Sequence, residues 1–184
     1  MDMSDVGPPP NTFSLSDPRQ SVPAAFDERT TLTHFLRHVR QTVYVKCVGL
    51  SQSDAARTPL PTSPAMTITG LVSHLRWSEA FWIDVMFLGQ PNRWPGTDDD
   101  SELQMRHGTE RPLAELLDEY AAQAAHTDEL VASHDWNAES VGRHWDTGKP
   151  VALRHIIVHL IEETARHNGH LDILRELADG VTGA

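Results

Sequence analysis

Residues 155–176 read HIIVHLIEETARHNGHLDILRE. Wound as a helix, Leu153, Ile156, Leu160, Thr164, His167, Leu171 and Leu174 recur at three- and four-residue intervals and share one inward stripe. Glu163 borders that stripe, so a carboxylate and an imidazole are both aimed at the core. A buried carboxylate without a partner is costly, and something must therefore face Glu163 and His167. Their i, i+4 spacing sets the two side chains on neighbouring turns, close enough to converge on one ion.

The same periodicity places three more helices. Asp27 caps a first one, about Glu28–Gly49, carrying Leu32, Phe35, Leu36, Val39, Val43 and Val48, with Gly49 as its stop. His34 and His38 stand one turn apart on it and read as a solvated face. A second helix is predicted over Thr67–Leu88, ended by Gly89 and Pro91. Its inward stripe is Leu71, Leu75, Ser78, Trp82 and Val85, with His74 on the flank and Ser73, Arg76 and Asp84 outside. Pro112 opens a third helix, about Pro112–Ser133, striped by Leu113, Leu116, Leu117, Tyr120 and Ala124. Ala121, Ala122, Ala124 and Ala125 give it a small face suited to close helix contact. The helix quoted above spans about Val151–Asp179 and ends at Gly180.

Between these lie three connections. Ser51–Met66, with Pro59, Pro61 and Pro64, reads as irregular. Gln90–Glu110 reads as a long polar loop of the kind that forms a rim or lid. Its acids Asp98, Asp99, Asp100 and Glu102 lack the spacing and glycine of an EF-hand and read as solvated. His134–Pro150 is the third connection. Residues 1–25 hold five of the 12 prolines and little periodicity, and read as a disordered or loosely draped arm. The expected architecture is an all-α four-helix bundle over residues 26–184, with long connections after the first and second helices.

Bulk properties narrow the function. At 184 residues the chain suits one full-sized domain. A formal charge of -11 disfavours a nucleic-acid partner, which needs a basic face. No apolar run approaches the roughly 20 residues of a membrane span. The opening MDMSDVGPPP lacks the basic and apolar regions of a signal peptide. Cys47 is the single cysteine, flanked by Tyr44, Val45 and Val48, and reads as a buried thiol in a reducing, cytoplasmic setting.

Two ligands on one helix leave a tetrahedral ion two positions short. His74 is the other histidine at a helix core face, and two histidines with a glutamate form a recognised catalytic zinc set with one open position. The same donors suit other divalent metals. The order Glu-x-x-x-His is not the zinc-protease motif. Spacing alone leaves a second reading open, a hydrogen-bonded Glu163–His167 pair inside the bundle. His170, at the edge of the stripe, is a candidate to orient a ligand or touch a substrate. Asp172 and Arg175 read as surface ion-pairing residues, and His155 and His159 point away from the stripe.

The segments DERTTLTHFLRHVR, GLVSHLRWSEAFW and HIIVHLIEETARHNGHLDILRE together resemble the DinB/YfiT-like superfamily, in its actinobacterial mycothiol-dependent branch. The resemblance spans about Asp17–Asp179. It implies a four-helix bundle with a divalent metal on three side chains, zinc first, with nickel and iron as alternatives. Many members use three histidines. Here Glu163 replaces the earlier histidine of the C-terminal pair, and His74, Glu163 and His167 resemble the ligand set of mycothiol-dependent maleylpyruvate isomerase. The implied activity is S-transfer, in which mycothiol is activated as a metal-bound thiolate to attack an electrophilic small molecule. The alternatives are a mycothiol-dependent isomerase and a non-enzymatic, stress-associated metal-binding bundle. A homodimer is expected by the same analogy.

Overall fold

The computed structural model describes residue 19, residues 27–94 and residues 102–182. The expected N-terminal arm, Arg19 apart, and the acids Asp98–Asp100 lie outside the described residues. Within them the chain is all-helical: α1 (Glu28–Cys47), α2 (Gln52–Ala55), α3 (Ile68–Ala80), α4 (Leu103–Thr109), α5 (Leu113–Ser133) and α6 (Leu153–Asp179). A π-helical stretch, Phe81–Phe87, prolongs α3. The four long helices form the bundle that the periodicity predicts. The Asp27 carboxylate accepts from the Thr30 N–H to open α1, and the Thr67 hydroxyl accepts from the Gly70 N–H to open α3. Gly180 ends α6 at φ 78°, in the left-handed region that glycine adopts without a steric cost. All seven residues of the predicted α6 stripe are buried.

Helix α6 packs along α1 and against α3, and α3 in turn packs against α5 and α4. The core is split into two apolar halves. One gathers Leu36, Val39, Trp82, Ile83, Leu130, Ile156 and Leu160, and the other Val43, Leu71, Leu75, Leu116, Tyr120, Leu171 and Leu174. Between them each long helix contributes polar residues to a middle layer: Arg40, Glu79, Thr127, Thr164, His167 and Asn168 are buried there. Arg40 donates to both oxygens of Glu79, at 3.1 and 2.5 Å, and to Asp128 at 2.8 Å. The Thr127 hydroxyl donates to Glu79 at 2.6 Å.

Several local expectations are corrected. The loop Gln90–Glu110 contains α4, and the irregular stretch Ser51–Met66 contains α2, capped by Ser51. Ser73, expected outside, is buried because α4 lies on it: its hydroxyl donates to the Gln104 carbonyl at 2.7 Å. Arg175, expected on the surface, is buried and donates to the carbonyls of Lys46 and Val48, the free C-terminal end of α1. Its expected neighbour Asp172 pairs with the buried Lys46 at 2.6 Å. Phe35 and Val48 are exposed rather than core. Ala121, Ala122 and Ala125 face solvent rather than another helix. The π turn also displaces the α3 stripe. An i→i−5 bond from the Leu88 N–H to the Ile83 carbonyl widens the coil, and Ile83, Met86 and Phe87 become buried beside Trp82.

Candidate metal centre

Two helices bring the site together. His74 stands two turns into α3, and Glu163 and His167 stand one turn apart at the middle of α6. Where α3 and α6 pack, the Nε2 atoms of both histidines meet the same carboxylate oxygen. His74 Nε2 lies 3.0 Å and His167 Nε2 3.2 Å from Glu163 Oε1. The two imidazole rings meet edge to face at 4.7 Å. One ligand atom from each residue lies within 4.8 Å of the other two. The structure thus gathers His74, Glu163 and His167, the three residues singled out from sequence.

The far side of each imidazole is also held. His74 Nδ1 lies 2.7 Å from Gln104 Oε1, a carbonyl oxygen on α4 that can only accept. His167 Nδ1 lies 3.1 Å from His170 Nδ1. His170 therefore touches His167 and not Glu163. Burial first, and then the neighbouring His167, lower the His170 pKa and favour its neutral ring, whose Nδ1 lone pair can accept a hydrogen bond from His167. Helix α4 reaches this position because Gly108 packs on α3: a Cβ there would stand 2.4 Å from the Thr69 carbonyl oxygen.

The proton count bears on whether the donor set fits a cation. A neutral imidazole carries one N–H. If His74 gives it to Gln104, and His167 gives it to His170, both Nε2 lone pairs face the lone pairs of Glu163. Three acceptors then crowd one point, which a proton or a metal cation relieves. The Glu163 carboxyl is held well below the usual carboxylate range, first by the His167 contact and next by His74, with burial acting in the opposite sense. It is therefore an anion at neutral pH. Two imidazoles and one carboxylate, each with a lone pair directed inward, are the donor chemistry of a divalent transition metal. The side chains of His74, Glu163 and His167 are 17%, 24% and 9% exposed, so the cluster is reachable from solvent without being loose.

Sequence reasoning missed Gln104, which lay inside the presumed loop. It also set aside His155 and His159, whereas both rings lie beside the inward-facing Trp82, with His159 4.5 Å and His155 6.4 Å from it. Cys47 is buried as expected, and burial pushes its thiol up to about 12.

The sequence model of the mycothiol-S-transferase family matches residues 31–180. No curated protein matches the chain. Among solved structures, the conserved protein of locus from Enterococcus faecalis superposes with a TM-score of 0.67 at 16% identity, covering 85% of this chain and 100% of that one. At that identity the likeness shows the fold alone. No described helix is long and apolar enough to cross a membrane.

Proposed function

The chain belongs to the mycothiol-S-transferase family, and on that premise we propose that it is a divalent-metal-dependent S-transferase that uses mycothiol on an electrophilic small molecule. The observation that carries the reading is the convergence of two imidazole Nε2 atoms on one oxygen of Glu163. His74, Glu163 and His167 would hold the ion, zinc first, and leave a position for an outside ligand. Bound there, the ion would supply the Lewis acidity that keeps a thiol as its thiolate near neutral pH, where a free thiol of pKa about 8.5 is mostly protonated.

The protein's own residues prepare this. With its Nδ1 proton given to Gln104, His74 would present a free Nε2 lone pair, and His167 would do the same with its Nδ1 proton given to His170. Glu163 would cancel one of a divalent ion's two charges. The loaded site would keep a single positive charge, which would favour a thiolate over a neutral thiol. No nucleophile of the chain is needed, and Cys47 is held protonated in the apolar core. The family match supports transfer, in which the thiol is consumed, over isomerisation, in which it is regenerated.

Elemental analysis of wild type beside His167→Ala tests the ligand assignment. The expected result is near-stoichiometric metal in the wild type and background metal in the variant; equal content in both would overturn the assignment. Mass spectrometry of the product, with mycothiol and a panel of electrophiles, tests the reaction. A metal-loaded protein without thiol-dependent turnover would favour the structural-metal bundle.

A further inference from the structure

One turn before Glu163, α6 enters an array of rings drawn from three separate stretches of chain. His159 lies 4.5 Å from Trp82, which comes from the π-helical end of α3. Trp145, from the connection between α5 and α6, lies 5.7 Å from Trp82, and their planes are tilted by 54°. His144 stacks on Trp145 at 4.3 Å with planes 22° apart, and His155 lies 6.5 Å from His144. Trp82 is the buried floor of this array, whereas Trp145 is 65% exposed. Burial holds the His159 pKa below the usual imidazole range, against the opposing charges of Glu163 and Glu162, which favours its neutral ring.

Residues one helical turn apart have Cβ atoms about 5–6 Å from each other, which is roughly the width of one aromatic ring. A flat molecule lying against His159 would thus reach towards Glu163, one turn further along the helix. We propose that Trp82, His144, Trp145 and His159 form the acceptor subsite of the S-transferase, and that its occupant is a planar, electron-poor aromatic electrophile. The proposal rests on the S-transferase reading above. Its physical basis is the chemistry of the array. Indole faces are electron-rich and favour stacking with electron-poor rings. Trp82 and Trp145 are tilted rather than stacked face to face, so the exposed Trp145 ring is not closed onto its neighbour. The four residues contribute ring nitrogens as their polar atoms and no carboxylate or ammonium group. A polyol ligand would call for more hydrogen-bonding groups to fix its orientation.

With 1-chloro-2,4-dinitrobenzene the chemistry balances as an aromatic substitution. The thiolate sulfur bonds to the chlorine-bearing carbon, the C–Cl bond breaks, chloride leaves with the bonding pair, and the thiol's proton passes to solvent. The test compares zinc-loaded wild type, Trp145→Ala and Trp145→Phe, with mycothiol and either this aromatic chloride or iodoacetamide. In Trp145→Ala, the KM for the aromatic chloride rises about tenfold relative to that for iodoacetamide, and Trp145→Phe recovers most of the loss. Zinc content, measured on each variant, separates loss of the metal from loss of the subsite. An unchanged KM ratio overturns the proposal, as does a wild type that consumes iodoacetamide and leaves the aromatic chloride untouched. A raised KM for mycothiol alone would assign the rings to the thiol and also overturn it. If neither electrophile is consumed, the S-transferase reading fails by itself. The array is then judged by calorimetric titration with unreactive 3,5-dinitrobenzamide: about tenfold weaker binding to Trp145→Ala supports it, and equal binding overturns it.

Discussion

Two polar assemblies occupy the layer between the apolar halves of the bundle, and they are built on opposite rules. Arg40, Glu79, Thr127 and Asp128 close on themselves. Glu79 receives both arms of a guanidinium and a hydroxyl, and its side chain is 3% exposed. His74, Glu163 and His167 do not close. Two ring nitrogens aim at one carboxylate oxygen whose side chain is 24% exposed. A network in which every donor has an acceptor holds helices together and has no use for a ligand. One in which two imidazole nitrogens converge on a single, partly exposed carboxylate oxygen is a donor set that a cation can complete. Burial of a charge therefore does not by itself mark a functional site here; convergence of three ligand atoms within reach of solvent does.

The sharpest way to break this comparison is to open the closed network. Glu79→Ala strands the Arg40 charge in the core. Removing one partner of a buried pair costs about 3–5 kcal/mol, so this variant should show the largest fall in thermal and urea stability. Its folded fraction should still bind zinc as the wild type does. A variant of near wild-type stability would mean that Arg40 finds compensation in Asp128 alone.

Opening the other assembly should do the reverse. In the absence of metal, Glu163→Gln is expected to change stability by no more than about 1 kcal/mol, because the carboxylate is partly solvated. Zinc held at one hundred times its Kd should stabilise the wild type by about 2.7 kcal/mol. The same zinc should give Glu163→Gln little or nothing. Denaturation with and without chelator checks both statements. Equal stabilisation of the two proteins would remove Glu163 from the ligand set.

The contrast between the two assemblies was only half legible in the sequence. His74, Glu163 and His167 stand on long, strongly periodic helices, where spacing reports the face directly. Glu79 and Arg40 stand on the same kind of helices, yet their pairing spans 39 residues and leaves no local trace. Arg175 was misplaced for the same reason, since the carbonyls it caps lie 127 and 129 residues away. Helix α4 has seven residues and no amphipathic pattern of its own. It forms where Gly108 permits contact with α3, so packing rather than propensity decides it. Its absence from the sequence reading concealed Gln104, the group that orients His74. The π turn had a similar effect on Ile83, Met86 and Phe87, because a wider coil breaks the 3.6-residue rule used to sort that face.

Gln104 sharpens the comparison at its edge. Gln104→Ala leaves the three ligand residues in place and removes the acceptor that fixes the His74 ring. Loss of such an outer partner commonly weakens metal binding 10–100-fold, so zinc affinity should fall by about 1.4–2.7 kcal/mol. Competition with a chromogenic chelator measures it. Unchanged affinity would show that packing alone orients the ring.

The smallest effect concerns the one sulfur the chain supplies. Cys47 sits in the apolar half built by Val43, Leu71, Tyr120 and Leu171, away from the polar layer. Burial raises its pKa to about 12, with Arg175 acting weakly in the opposite sense. The folded protein thus holds this proton more tightly than the unfolded chain, whose thiol titrates at about 8.5. The resulting stability is complete below about pH 8.5 and is lost as pH rises towards the folded value, by at most about 1.4 kcal/mol per pH unit. Cys47→Ala should flatten that alkaline decline relative to wild type, and native Cys47 should react with a disulfide reagent only on unfolding. Thiol-dependent turnover should be the same with or without it. If turnover fell in step with the loss of Cys47, the chain's own thiol would be part of the chemistry, and the polar layer would not be the only place where sulfur is activated.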